Sequence, residues 1–175
     1  DGLFNLYQDT VNGQVFLEIS DQQLEKEFIY FSHVEDGVLD AGFFRGAYRS
    51  SKIISFHKVF DHIEVVEHNT DFYFDENNAL SKASNANINN PVLSSQKIES
   101  QSKKGDLYLI SGNSLFLSEQ FQMVKPPSDP KNPSLLGNLS KNKTKVRNIN
   151  NYPENSEIRV EYVYENKNPK RGGSA

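Results

Sequence analysis

Apolar and polar residues alternate along much of this chain with the two-residue period of β-strands, not the 3.6-residue period of helices. Val15, Leu17 and Ile19 alternate with Gln14, Phe16 and Glu18, as in a strand covered on one face. Leu3, Phe4, Leu6 and Tyr7 open an apolar strand ahead of them, and the intervening Asn12-Gly13 is a strong hairpin signal. Ser20-Asp21 followed by QQLEKE predicts a capped helical turn, with Ser20 or Asp21 as N-cap. Phe28, Ile29, Tyr30 and Phe31 predict a strand buried on both faces near its centre.

From Gly37 to Ser51, three glycines and two arginines predict a loop, with a strand fragment at Ala41–Phe44. The next pair of runs, SKIISFHKVF and HIEVVEH, predicts a hairpin turning at Phe60-Asp61. That turn sets Phe56 opposite Val65 and Lys58 opposite Ile63 on one side. His57 and Glu64 then pair on the other side, beside Val59 and His62. Asp71–Phe74 reads as a short aromatic strand, and a weak helix is expected around Asn78–Ala86. Val92–Ile98 and Asp106–Ile110 read as strands, and Asn113–Leu117 starts a further element near Ser111-Gly112. Thr144–Ile149 and Glu157–Tyr164 form a last pair around a turn at Tyr152–Asn155.

These elements predict a mainly β fold: an antiparallel sandwich or partly open barrel with one or two short helices, α+β being the alternative. A single β-rich domain is expected over 1–165. It carries polar Asn/Pro-rich loops within about 75–91 and 125–143, and a linker-like tail at 166–175. No internal repeat is present.

Composition narrows the function classes. A net charge of −4 over 175 residues argues against a nucleic-acid partner, which needs a basic face, and against an anionic membrane surface. The absence of cysteine excludes disulfides, thiolate metal sites and cysteine nucleophiles. No run approaches the ~20 apolar residues of a membrane-spanning helix, so membrane insertion is not expected. The chain begins at Asp1, so the native N-terminus is expected to have been removed and the missing signal peptide carries no information. Mean hydropathy is −0.65, which leaves part of the length outside any core.

Four histidines are the first candidates for chemistry. There is no His-Glu-x-x-His, but His62, Glu64 and His68 share one strand face with His57 opposite Glu64. Strand neighbours lie about 5 Å apart, so a zinc site from His57, His62, Glu64 and His68 is geometrically conceivable. A solvated hairpin face is the plainer account of the same residues. Arg45 and Arg49, among Gly42 and Gly46, are candidates for an anion-binding concavity, set against a loop whose arginines pair with neighbouring acids. Acidic residues around Asp36 and Asp40 lack the spacing of a calcium loop. No serine lies in a G-x-S-x-G turn, and the aromatics fall mostly on strand patterns. Residue chemistry alone therefore names no catalytic residue. A freestanding module binding a peptide, glycan or lipid in an aromatic-lined pocket, and a small hydrolase using these histidines with Glu64, stand as alternatives.

The run GLFNLYQDTVNGQVFLEIS…LEKEFIYFS resembles the N-terminal region of a bacterial family of zinc-dependent, metzincin-like metallopeptidases. In that family a domain of unknown function precedes the catalytic domain. RGAYRSSKIISFHKVFDHIEVVEHNTDF, GDLYLISGNSLFLSE and NYPENSEIRVEYVY resemble three later segments in the same order. The resemblance covers about Gly2 to Tyr164. It implies a non-catalytic accessory domain of a secreted protein, periplasmic or extracellular, whose partner is the downstream peptidase domain of the same polypeptide. Zinc is implied for that domain. Nothing here matches the family's extended zinc motif, so no catalytic or metal residue carries over, and no cofactor is expected in this chain.

Overall fold

In a computed structural model, the described residues are 2–39, 42–71, 89–124, 131 and 136–167. Seven strands form one antiparallel sheet: β1 (Asn5–Gln8), β2 (Val15–Ser20), β3 (Phe28–His33), β4 (Tyr48–Val59), β5 (His62–His68), β6 (Val92–Gln101) and β7 (Leu107–Ser111). Their spatial order is β1-β2-β7-β6-β5-β4-β3. A meander thus runs from β3 to β7, and the β1–β2 hairpin closes against its last strand, with Phe16 opposite Ser111 and Ser20 opposite Leu107. The fold is mainly β, as the alternation predicts. Short helix α1 (Gly112–Phe116) follows β7, capped by the Ser111 hydroxyl, which accepts from the Ser114 amide.

The sheet curls into a half-barrel. Phe4 before β1, Phe28 at one edge and Phe56 on β4 meet with ring centroids 4.8–5.9 Å apart, so the two ends of the sheet approach across its concave side. Between β2 and β3 the chain crosses that side; the Glu25 amide donates to the Phe56 carbonyl at 2.8 Å. Inward-facing Val15, Leu17, Ile19, Ile54, Phe56, Ile63, Val65, Tyr108 and Ile110 fill the concavity, and Leu115 and Phe121 plug it. Each such aliphatic contributes roughly 1.5–3 kcal/mol by leaving water. Gly112 lets α1 sit on β2: a Cβ there would come within 2.9 Å of the Val15 carbonyl oxygen. A second hairpin, β9 (Lys145–Asn151) with β10 (Ser156–Glu161), lies outside the main sheet. It touches the start of the chain through Leu3, whose amide donates to Tyr152. The segments on either side of that hairpin in sequence, β8 (Asn138–Leu139) and β11 (Tyr164–Glu165), pair with each other.

Three sequence expectations are corrected. Residues 21–25 make a short turn that includes an isolated bridge from Leu24 to Phe56, not a capped helical turn, because Glu25 adopts a left-handed φ of 60° and ends any helical progression. Phe43 and Phe44 are not in a strand; Gly42, at φ 78°, turns the chain, and β4 begins at Tyr48. β3 is not buried on both faces. It is an edge strand, so Ile29 and Phe31 on its outer face remain 79% and 59% exposed. The expected strand at Asp71–Phe74 falls almost wholly, and the helix at Asn78–Ala86 wholly, outside the described residues.

Candidate functional site

The β4–β5 hairpin carries most of the candidate chemistry, and its register follows the alternation: Phe56 faces Val65, His57 faces Glu64 and Val59 faces His62. The two-residue turn places Phe60 at φ 53°, a left-handed conformation that a tight hairpin requires and that Gly or Asn adopts more easily. Its ring is 90% exposed.

On the outer face of this hairpin, His57 and His68 converge on a residue the sequence reading passed over. The Ser55 hydroxyl lies 2.7 Å from His57 Nε2 and 2.7 Å from His68 Nε2, and Ser55 is 0% exposed beneath the two rings. The other ring nitrogen of His68, Nδ1, is 4.0 Å from the Glu27 carboxylate. His62 stands apart from them, its Nδ1 2.8 Å from Asp61, whose carboxyl is held below its usual range chiefly by that bond. The structure therefore joins two of the four metal candidates through a serine. Among the described residues no three His, Asp or Glu side chains are grouped to hold a metal ion. The acid–imidazole–hydroxyl order of Glu27, His68 and Ser55 resembles a nucleophile triad in sequence of contacts only. A hydroxyl with no solvent access, on a strand whose neighbours on both sides are hydrogen-bonded, offers no approach for a substrate.

The two arginine candidates are not brought together. Arg45 binds Asp36 through Nε and Nη2, both side chains exposed, as a loop arginine pairing with a nearby acid. Arg49 turns the other way: its guanidinium lies 4.8 Å over the Phe43 ring and donates to the Val124 carbonyl. It approaches a tyrosine cluster built around Glu119, which accepts from the Tyr164 hydroxyl at 2.8 Å. Burial raises the Tyr162 and Tyr164 hydroxyls above their ordinary range, helped by the Glu119 charge. These hydroxyls work as neutral donors that fasten the chain after β10 onto the segment after α1.

A concavity of about 320 Å³ lies on the outer face of the other half of the sheet, lined by Tyr7, Glu18, Ser100, Gln101, Ser102, Leu107 and Leu109. Tyr7 alone of the strand aromatics reaches it, and its hydroxyl donates to Glu18. This is not the aromatic-lined cup that a freestanding binding module would need.

The larger unpartnered feature is apolar. Ile29 and Phe31 on β3 stand beside Ile53 and Ser51 on β4, and Phe31 packs at 5.7 Å against Tyr48, itself 61% exposed. Val38, Leu39 and Phe44 add exposed apolar side chains in the loop that joins the two strands. β3 carries no Lys, Asp, Glu or Pro, the residues that usually protect a sheet edge.

No curated protein and no solved structure matches the chain. A family model described as a domain of unknown function matches residues 46–174, from the loop before β4 past β11. β1, β2 and β3 lie ahead of the matched segment yet belong to the same sheet, so the folded unit begins earlier than the match. With most of its length covered by that model, the chain belongs to the DUF5117 family.

Proposed function

We propose that this chain is a non-catalytic accessory domain of a secreted, metzincin-like zinc metallopeptidase, and that the outer face of β3 and β4 packs on the peptidase domain of the same polypeptide. The observation that carries the reading is the uncharged, apolar edge: Ile29 and Phe31 exposed beside Tyr48 on a strand without protective charges. A contiguous exposed apolar patch marks a surface that something covers. The sequence resemblance supplies the identity of the cover. Catalytic zinc and the hydrolytic residues belong to the covering domain, and this chain contributes shape and apolar contact.

The test is co-purification of this chain with the separately expressed downstream part of its open reading frame. A stable complex is expected, and Ile29→Asp with Phe31→Asp is expected to abolish it while the variant melts at the same temperature as the unmodified chain. The sign of the change in peptidase activity on binding distinguishes an inhibitory cover from a substrate recruiter. A folded chain that does not associate, or a complex indifferent to both substitutions, overturns the reading.

A further inference from the structure

We propose that the concavity on the outer face of β1, β2, β6 and β7 binds an organic cation, a guanidinium or ammonium group carried on a short apolar stem. Its walls follow from the strand register. Asn5 lies opposite Glu18, Glu18 opposite Leu109 and Leu109 opposite Ser100, so four strands present one row of side chains to the same face. β6 slips register against β7 between Ile98 and Ser100. A bulge of that kind bends its strand, and Ser100 and Gln101, adjacent in sequence, both line the concavity. Leu107 and Leu109 make its apolar part, and Tyr7 stands over it from the edge strand β1. A volume of about 320 Å³ is at the low end for ligand sites and suits one side chain or a small amine.

Glu18, half-buried at the middle of β2, sets the charge of the ligand. Its Oε1 accepts from Asn5 Nδ2 at 2.8 Å and its Oε2 from the Tyr7 hydroxyl at 3.2 Å. Both donors are neutral, and a carboxylate offers about four lone-pair sites, so each oxygen can accept again. Among the described residues no Lys, Arg or His forms an ion pair with Glu18. The carboxylate is thus held in place by two neighbours while its charge is left unmatched. Burial first, and then the Glu18 charge, raise the Tyr7 hydroxyl above its ordinary range, which keeps it a donor to that carboxylate. The rest of the lining is neutral. Two leucines receive a stem, the Tyr7 ring offers a cation–π contact, and the oxygens of Ser100, Gln101 and Ser102 can take further N–H groups. A divalent metal ion fits poorly, since it calls for several oxygen ligands and more charge than one carboxylate supplies. Lys103 and Lys104, in the turn beyond Ser102, do not line the concavity.

This site stands apart from the packing of β3 and β4 on a partner, and it is tested on the other half of the sheet. The experiment titrates the unmodified chain with butylguanidinium and with butylurea, a neutral probe of similar shape, and follows the Leu107 and Leu109 methyl signals by NMR. Butylguanidinium is expected to shift those methyls with millimolar affinity that weakens as salt is raised. Butylurea is expected to bind at least about fivefold more weakly, for want of a charge-assisted bond to Glu18. Glu18→Gln keeps an acceptor on the face but removes the charge, and should weaken butylguanidinium by about fivefold or more. Tyr7→Leu should weaken it about two- to fivefold through the lost ring face. A capped tripeptide with a central arginine then separates the sources of the cation. Binding no weaker than that of butylguanidinium upholds the site with a polypeptide side chain as its ligand; exclusion of the tripeptide upholds it with a small free cation. Methyl signals that do not respond, equal binding of the charged and neutral probes, or an affinity unchanged in Glu18→Gln overturns the proposal. The comparison of probes uses the unmodified chain, so it decides the matter even where a variant fails to fold.

Discussion

The two faces of the β4–β5 hairpin are one residue out of step and hold different kinds of interaction. Ile54, Phe56, Ile63 and Val65 point into the half-barrel and are buried among one another and the plug from α1. Ile53, Ser55, His57, Glu64 and His68 point outward, and what they bury is a hydroxyl between two imidazoles. The inner face is tolerant in chemistry and strict in volume, since dispersion and water exclusion depend on filling space. The outer face is strict in chemistry, since a buried polar group is sound only while each of its hydrogens has an acceptor. The core packing and the histidine–serine cluster therefore sit on the same two strands without competing for the same side chains.

Several substitutions would break or sharpen that contrast. Ile63→Ala empties a fully buried position at the centre of the inner face and is expected to lower unfolding free energy by roughly 2–5 kcal/mol; a loss under about 1 kcal/mol in denaturant titrations would show that the half-barrel is loosely filled. High pH tests the inner face electrostatically. The hydrogen bond that Tyr108 donates to Asp21, together with burial, pushes its hydroxyl up to about 12. The unfolded chain releases that proton near pH 10, before the folded chain does, so stability should fall as pH rises from about 10 to about 12. Tyr108→Phe should remove its share of this alkaline loss, and superimposable pH curves would exclude Tyr108 as a contributor. At the hairpin tip, Phe60→Gly relieves a left-handed φ and is expected to raise stability by about 0.5–1 kcal/mol. A decrease would mean that the exposed ring packs in a way its 90% exposure does not suggest. The smallest stability effect is expected on the outer edge, where Ile29→Asp should change unfolding by no more than about 0.5 kcal/mol while eliminating association.

How far the sequence revealed this molecule depends on the range of the interaction. The β4–β5 register was legible because both strands, the turn and the alternation lie within one short stretch, and a period of two leaves a single face for Ile63 and Val65. The β9–β10 pair was legible for the same reason, its turn at Tyr152–Asn155 closing with a bond between those two residues. The pairing of β2 with β7 was not, since nothing in VFLEIS names LYLIS as its neighbour. Burial of β3 was misjudged because FIYF reads alike at the centre of a sheet and at an edge. The candidate site was half legible. His57, Glu64 and His68 follow from the register, whereas Ser55 was not among the candidates. The signal was present: Ser55 and His57 are two apart and so share a face, and His68 opposes Ile53, the next residue outward on that face. Arg45 and Arg49 were grouped by proximity in sequence, and the start of β4 at Tyr48 sends them to different surroundings.

The order of the strands also sets a timetable. β1 and β2 leave the ribosome ahead of the other strands of their sheet, yet the strand that completes their pairing, β7, is made only after the whole β3–β6 meander. At ~5–20 residues per second, that interval is on the order of ten seconds. Throughout it Leu17 and Ile19 have only the small β1 hairpin for company, and the pairing that finally shelters them spans about half of the chain and closes slowly. The β1–β2 hairpin thus waits longest for its sheet partner, while each strand of the meander finds its neighbour next in sequence.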